Sequence, residues 1–237
     1  MSAFAQSIAT AFELIVHADP VLLRTVRLSL QVSGMACLFA AGLGLPLGAW
    51  LAVAHFPGHR VLLLLMDTLL ALPAVLVGLA VYLLLSRSGP LGDWGLLFTP
   101  TAMVIAQTVL VLPIVAALTR QVVGDALRDG GDQLRSMGAS RLSCALLMLV
   151  HGRWAVMTVL IAAFGRAIAE VGAVMIVGGN IDGFTRVMTT TIALETSKGD
   201  LPLAMALGLV LLCVVGAVNA LLGLTRRGLG SALAGVR

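Results

Sequence analysis

Long uncharged stretches are the feature of this chain that most constrains its fold. Four of them reach about the 20 helical residues that cross a hydrocarbon core of roughly 30 Å, at residues 28–54, 68–86, 94–119 and 201–225. A fifth stretch, 154–181, is long enough but contains Arg166 and Glu170. Continuous rather than alternating apolar character predicts helices, not the strands of a barrel. We therefore expect an all-α integral membrane protein with five spanning helices in a single domain, residues 1–237.

The N-terminal segment, residues 1–20, is apolar over a length too short to span and contains Glu13. It lacks the basic start of a signal peptide. We expect a short helix that lies in the membrane interface and ends at Asp19-Pro20. Its apolar face would carry Phe4, Ile8, Phe12 and Ile15. A sixth, tilted span is the alternative.

The charged segment 120–154 separates two of the apolar stretches and sets the predicted orientation. If it is cytoplasmic, nine arginines lie inside and five basic residues outside, which predicts an external N-terminus and a cytoplasmic C-terminus. Arg24 and Arg27, both outside, weigh against this arrangement. The net charge of +4 is then a topology signal and indicates no nucleic-acid partner, because the segment has no interleaved aromatic residues for base stacking. The nine are Arg60, Arg120, Arg128, Arg135, Arg141, Arg153, Arg226, Arg227 and Arg237.

Several chemistries are excluded by the residues present. Lys198 is the only lysine and follows no glycine-rich loop, so the chain has no phosphate-binding P-loop and we expect no ATP hydrolysis by this chain alone. The four histidines form no HExxH pattern. Cys37, Cys144 and Cys213 are widely spaced, which suggests neither a disulfide framework nor a metal site. The sequence predicts no catalytic residue and no cofactor.

Part of the charged segment has the pattern of two short helices. The first is interrupted by glycines at 130–131 and stops at Gly138, and Ser140 is the N-cap of the second. Leu134 and Met137 are three residues apart on one face of the first helix, which suits insertion into a groove on a partner protein. An ordinary solvated surface loop is the alternative.

The same segment resembles the cytoplasmic EAA loop of ABC importer permeases, whose pattern runs Glu-Ala-Ala, three residues, Gly, nine residues, Ile, one residue, Leu-Pro. Asp132 stands for the acidic residue and Gly138 matches the glycine. Gln133 and Leu134 replace the alanines, and His151 replaces the proline. The resemblance implies an ATPase-coupling loop within 120–154, formed by Asp132, Gln133, Leu134, Met137, Gly138, Ala139 and Ser140.

A second set of motifs lies between residues 165 and 196. They are GRAIAEVGA at 165–173, VGGNI at 177–181, TRVMTTT at 185–191 and LET at 194–196. They resemble the oxyanion branch of these importers, most closely the tungstate permeases, and the resemblance extends from residue 28 to the last helix. It implies a type I ABC importer permease (MetI-like) fold in the cytoplasmic membrane of a bacterium or archaeon. The implied substrate is tungstate, with molybdate or another oxyanion as alternatives.

The resemblance also implies partners. These are a second copy of the chain, two cytoplasmic ABC ATPase subunits and an external substrate-binding protein, which together move the anion by alternating access. The residues alone leave a different class open, a stand-alone secondary transporter or a membrane enzyme. We find no internal repeat of the helix pattern, which secondary transporters commonly show.

Two groups of residues are candidates for the translocation path or its gate. Arg166 and Glu170 are four residues apart, so we expect them to share a helical face that points into protein or water. Arg166 could attract a divalent oxyanion; a purely structural pair is favoured because a carboxylate in the path repels an anion. Arg186 with Thr189, Thr190 and Thr191 could supply a cation and hydroxyls at the external mouth, or form an ordinary polar loop.

Overall fold

The computed structural model describes residues 3–17 and 19–234, with the side chains of 7–17, 19–134 and 136–224. Arg237 of the orientation count lies outside these residues, and the side chains of Arg135, Arg226 and Arg227 are not among those described. Ten α-helices and no strand are found in the described chain. They are α1 Ala3–Val16, α2 Pro20–Val53, α3 His59–Leu69, α4 Ala74–Leu85, α5 Pro100–Ser136, α6 Arg141–His151, α7 Arg153–Ile168, α8 Gly172–Gly178, α9 Met188–Lys198 and α10 Leu201–Ala234.

Three helices, α2, α5 and α10, are long and apolar enough to cross a membrane unaided. The pairs α3–α4 and α6–α7 are bent by 100° and 75° at short breaks, and counting each as one span brings the total to five. The all-α prediction is confirmed, and five is the upper count of candidate spans among the described residues. Helix α2 is longer than the predicted stretch 28–54, since it has 34 residues, about 51 Å at 1.5 Å per residue.

Two of the expected straight spans are wrong in detail because each is broken. The stretch 68–86 bends before α4, where Pro73 is the N-cap residue. A proline has no N–H to continue a helix, and it disfavours helical geometry in the residue before it. Within the stretch 154–181, helix α7 ends at Ile168 and a new helix, α8, begins at Gly172.

The N-terminal helix α1 exists as predicted and packs along α10. Ala11 is buried on one side, whereas Ile8, Phe12 and Ile15 are exposed on another. Asp19 accepts hydrogen bonds from the backbone N–H groups of Val21 and Leu22 at 2.7 and 3.0 Å. Asp19-Pro20 therefore begins α2 rather than ending α1, which corrects the sequence expectation. The side chain of Phe4 lies outside those described, and the position of α1 in the interface stays a prediction.

Helices α2 and α5 form the most extensive helix pair of the fold, and glycine brings them together. A Cβ atom on Gly48 would collide with the carbonyl oxygen of Ala116 and lie 2.7 Å from Thr119 Cβ. A second close approach joins α4 to α8, where a Cβ on Gly78 would lie 2.7 Å from the Cα of Ala173. Small residues at helix crossings let backbones approach in this way within a membrane.

Candidate functional site

The end of α5 and the start of α6 form a tight helix-turn-helix on the side of the protein predicted to be cytoplasmic. Gly138 has φ of +83°, and the N–H of Ala139 donates to the carbonyl of Leu134 at 3.1 Å. This is the Schellman closure that satisfies the last carbonyls of a helix. Ser140 Oγ accepts from the N–H of Ser143 at 3.2 Å and caps α6. The predicted stop and the predicted N-cap are confirmed.

The predicted interruption at the two glycines is wrong. Helix α5 continues through residues 130–131 to Ser136, so its last part is the end of a 37-residue helix rather than a short helix of its own. A Cβ on Gly130 would lie 3.4 Å from Met148 Cε, and Gly131 is buried. Packing of α6 against α5 offsets the cost of about 1 kcal/mol that a glycine imposes on a helix interior.

Helix α6 is anchored on one side and open on the other. Cys144 and Ala145 are buried, and Ala145 clusters with Ala49 and Val53 of α2 and Val123 of α5. Met137, in the turn, is 82% exposed. Asp132 and Gln133 are also exposed, and Leu134 is half-buried. We call the open apolar residues the coupling surface, and they are Met137, Leu142, Leu146, Leu147 and Val150.

The break between α7 and α8 lies in the middle of the predicted fifth span. It frees backbone groups that must find partners where water is excluded. Gln107 Nε2 donates to the carbonyl of Ala167 at 3.0 Å, and Thr189 Oγ1 donates to the carbonyl of Glu170 at 2.8 Å. The side chain of Glu170 accepts from the N–H of Ala173 at 3.1 Å and so caps α8. Side chains from α5, from α9 and from the break itself thus form hydrogen bonds with the backbone groups that the break leaves without helical partners.

Arg166 and Glu170 form an ion pair across this break. Arg166 Nη1 lies 2.6 Å from Glu170 Oε2. The expected pairing is confirmed, but the two do not share a helix, because α7 ends at Ile168. Glu170 is 5% exposed and both its carboxylate oxygens are engaged, whereas Arg166 is 40% exposed. This geometry favours the structural interpretation of Glu170, and a role for Arg166 in the anion path stays a prediction.

The threonines predicted at the external mouth lie inside the protein or against their own helix. Thr189 is 7% exposed, and Thr190 is fully buried. The hydroxyls of Thr190 and Thr191 both donate to the carbonyl of Val187, at 3.0 and 2.8 Å. The N–H of Met188 donates to Ser29 Oγ at 2.9 Å, which ties α9 to α2. These hydroxyls are engaged in holding the start of α9, and their contact with an anion stays a prediction.

Arg186 lies apart from that cluster, in the loop between α8 and α9. Its Nη1 lies 3.1 Å from Asp182 Oδ1, and its Nη2 donates to the carbonyl of Asn180 at 3.4 Å. The Arg186 side chain is 25% exposed, and that of Asp182 is 73% exposed. Thr189, which donates to the backbone carbonyl of Glu170, links the two predicted path groups.

Thr189→Val is expected to destabilise the protein by about 1–3 kcal/mol, because it leaves the carbonyl of Glu170 unpaired in a buried site. Thr191→Val is the matched control. The carbonyl of Val187 keeps the backbone N–H of Thr191 as a donor at 2.9 Å, so little change is expected. Thermal unfolding of both variants in detergent measures the difference. Equal stability of the two variants would show that the hydroxyl of Thr189 is not structural.

Sequence reasoning did not identify Gln107 and Ser29. Each is an uncharged polar residue within an apolar stretch, which is the signal that could have marked them. Their partners could not be inferred, because the carbonyl of Ala167 and the N–H of Met188 need a partner only once helices end or begin there.

Comparison with known proteins finds relatives among the permeases of anion transport systems. No family model matches the chain. A tungstate uptake system permease protein of Peptoclostridium acidaminophilum is 41% identical over 226 residues, covering 94% of this chain and 97% of the relative. A probable anion ABC transporter permease protein of Haloferax volcanii is 42% identical, covering 84% and 88%. A sulfate transport system permease protein of Escherichia coli is 31% identical, covering 71% and 60%.

Proposed function

The chain belongs to the family of anion ABC transporter permeases, and we propose that it carries tungstate into the cell. The observation that supports this substrate is the 41% identity, along 94% of the chain, to a protein named as a tungstate uptake permease. The chain is a multi-pass protein of the cytoplasmic membrane. Molybdate and sulfate are the competing oxyanions.

Energy for transport would come from separate ABC ATPase subunits that dock on the coupling surface. Exposed apolar residues on a rigid helix-turn-helix suit insertion into a groove on such a partner. Helix α5 runs unbroken from this turn through the membrane, and α2 packs along it. A displacement of the turn would therefore move α5 and α2 together, which is the rigid-body shift that alternating access requires.

A second copy of the chain would complete the conduit. Arg166, in the last turn of α7, leaves 40% of its side chain open near the middle of the predicted fifth span, residues 154–181. A charged group at that depth is costly against lipid, so it needs protein or water on its open side. A homodimer with the path between the two copies provides both. An external substrate-binding protein would then deliver the anion to the outer end.

Reconstitution tests the whole proposal. The chain would be placed in liposomes with its ATPase subunits and binding protein, and uptake of tungstate, molybdate and sulfate would be measured with and without ATP. We expect ATP-dependent uptake of tungstate. Preference for another oxyanion would change the assigned substrate, and uptake by the permease chain alone, without ATP, would indicate a secondary transporter instead.

The same preparation tests the coupling surface. Met137→Asp places a charge in the docked surface, and we expect at least about tenfold weaker association with the ATPase subunits, the effect of losing a central interface residue. Trp94→Asp is the control, since Trp94 is 66% exposed and lies in a short 3₁₀ turn, 92–94, far in the sequence from the coupling surface. Co-purification of the ATPase measures both variants. Equal retention of the ATPase would reject docking at Met137.

A further inference from the structure

Two arginines from distant parts of the chain line one small cavity. The cavity has a volume of about 210 Å³ and lies between the start of α2 and the loop that precedes α9. Helix α2 contributes Arg24 and Thr25, and the loop contributes Asp182, Gly183 and Arg186. In the predicted orientation this end of α2 lies outside, where an incoming solute would arrive.

Arg24 makes no contact that would explain it as a structural residue within the described part of the chain. It is exposed, and among the described residues no hydrogen bond or ion pair involves its side chain. Its Nη1 atom lies against Gly183, where an added Cβ would be 3.3 Å away. Gly183 has φ of +69°, so glycine suits both the backbone and the close approach of the guanidinium. Arg24 thus places at the cavity a cation that no carboxylate of the described residues pairs with.

Arg186 supplies the second cation, and Asp182 is an exchangeable partner for it. The ion pair of 3.1 Å uses a carboxylate that is 73% exposed, and such exposed pairs contribute little to stability. Arg186 Nε is buried and lacks a hydrogen-bond partner in the described part of the chain. Two guanidiniums and one carboxylate leave a net positive charge, and displacing Asp182 into water would increase it.

We propose that this cavity binds a dissolved, divalent, tetrahedral oxyanion between Arg24 and Arg186. The inference rests on the proposed function and names a place where the substrate would pause outside the conduit. Guanidinium groups suit such anions because their N–H donors match two oxygens at once. The volume exceeds the ~30 Å³ share of one water several-fold, so four oxygens around a central atom fit. The dianion contacts two cations where Asp182 contacts one, so it displaces the carboxylate.

The test measures direct binding of radiolabelled tungstate. The complex of permease and ATPase subunits, without binding protein, would be placed in nanodiscs of phosphatidylcholine. Arg24→Gln is expected to weaken binding by about tenfold, the effect of losing one charged hydrogen-bonding group. Asp182→Asn is expected to strengthen it, because the competing carboxylate is gone. Arg27→Gln is the matched control, since it removes the same charge from the same helix at a residue that does not line the cavity.

Three results would overturn the inference. Equal weakening by Arg24→Gln and Arg27→Gln would indicate a general surface potential. Unchanged binding in Arg24→Gln would place the anion elsewhere. An effect of Arg24 on stability that appears only with phosphatidylglycerol in the nanodisc, without tungstate binding, would assign the cavity to a lipid phosphate. In each case ATP-driven tungstate uptake by the wild-type complex would still support the proposed function, so the two failures are distinguishable.

Discussion

Replacing Arg166 with alanine is expected to destabilise the folded protein by about 3 kcal/mol, the lower end of what losing one partner of a buried ion pair costs. The substitution leaves Glu170, 5% exposed, without the cation that lies 2.6 Å from its carboxylate. The lower end applies because Arg166 is itself 40% exposed and partly screened. Thermal unfolding of the detergent-solubilised protein, together with its abundance in membranes, measures the loss.

A second substitution separates the structural role of the pair from a transport role. Glu170→Gln removes the charge but keeps an oxygen that can cap the N–H of Ala173. Adding it to Arg166→Ala should therefore restore most of the lost stability, because no buried carboxylate is left unpaired. A stable and abundant Arg166→Ala protein that no longer takes up anion would instead assign Arg166 to the translocation path.

Gly48→Ala is expected to cost about 1–3 kcal/mol, the range for overpacking a close-packed site. The added Cβ would meet the backbone oxygen of Ala116 and lie 2.7 Å from Thr119 Cβ and 3.1 Å from the backbone nitrogen of Arg120. Backbone atoms of α5 cannot rotate aside as a flexible side chain can, so α2 and α5 must separate. Because α5 leads to the turn at Gly138 that carries the coupling surface, we also expect weaker transport from the protein that still folds.

Gly42→Ala is the control for this prediction. Gly42 lies on the same helix, and a Cβ placed there meets nothing within 4 Å. Alanine has the better helix propensity, so this variant should be as stable as the wild type or slightly more stable. Unfolding temperatures of the two variants provide the comparison. Equal losses of stability would show that glycine matters to α2 for a reason other than its contact with α5.

The turn between α5 and α6 shows how much of the structure local sequence patterns can predict. The stop at Gly138 and the cap at Ser140 were predictable because each depends on the backbone geometry and hydrogen bonds of a few neighbouring residues. The continuity of α5 through residues 130–131 was not predictable. Two glycines disfavour a helix locally, and the tertiary packing of α6 against α5 offsets that preference.

Composition and short spacing predicted that the chain is helical, that it has enough apolar length for up to five spans, and that Arg166 and Glu170 could pair. Those properties depend on composition and on the spacing of nearby residues, and neither changes with the position of a segment in the fold. The position of the break after α7, and the contacts of Arg186 and of the threonines of α9, depend instead on tertiary structure. A break at membrane depth is stable only when distant side chains supply the missing hydrogen bonds, as Gln107 and Thr189 do here.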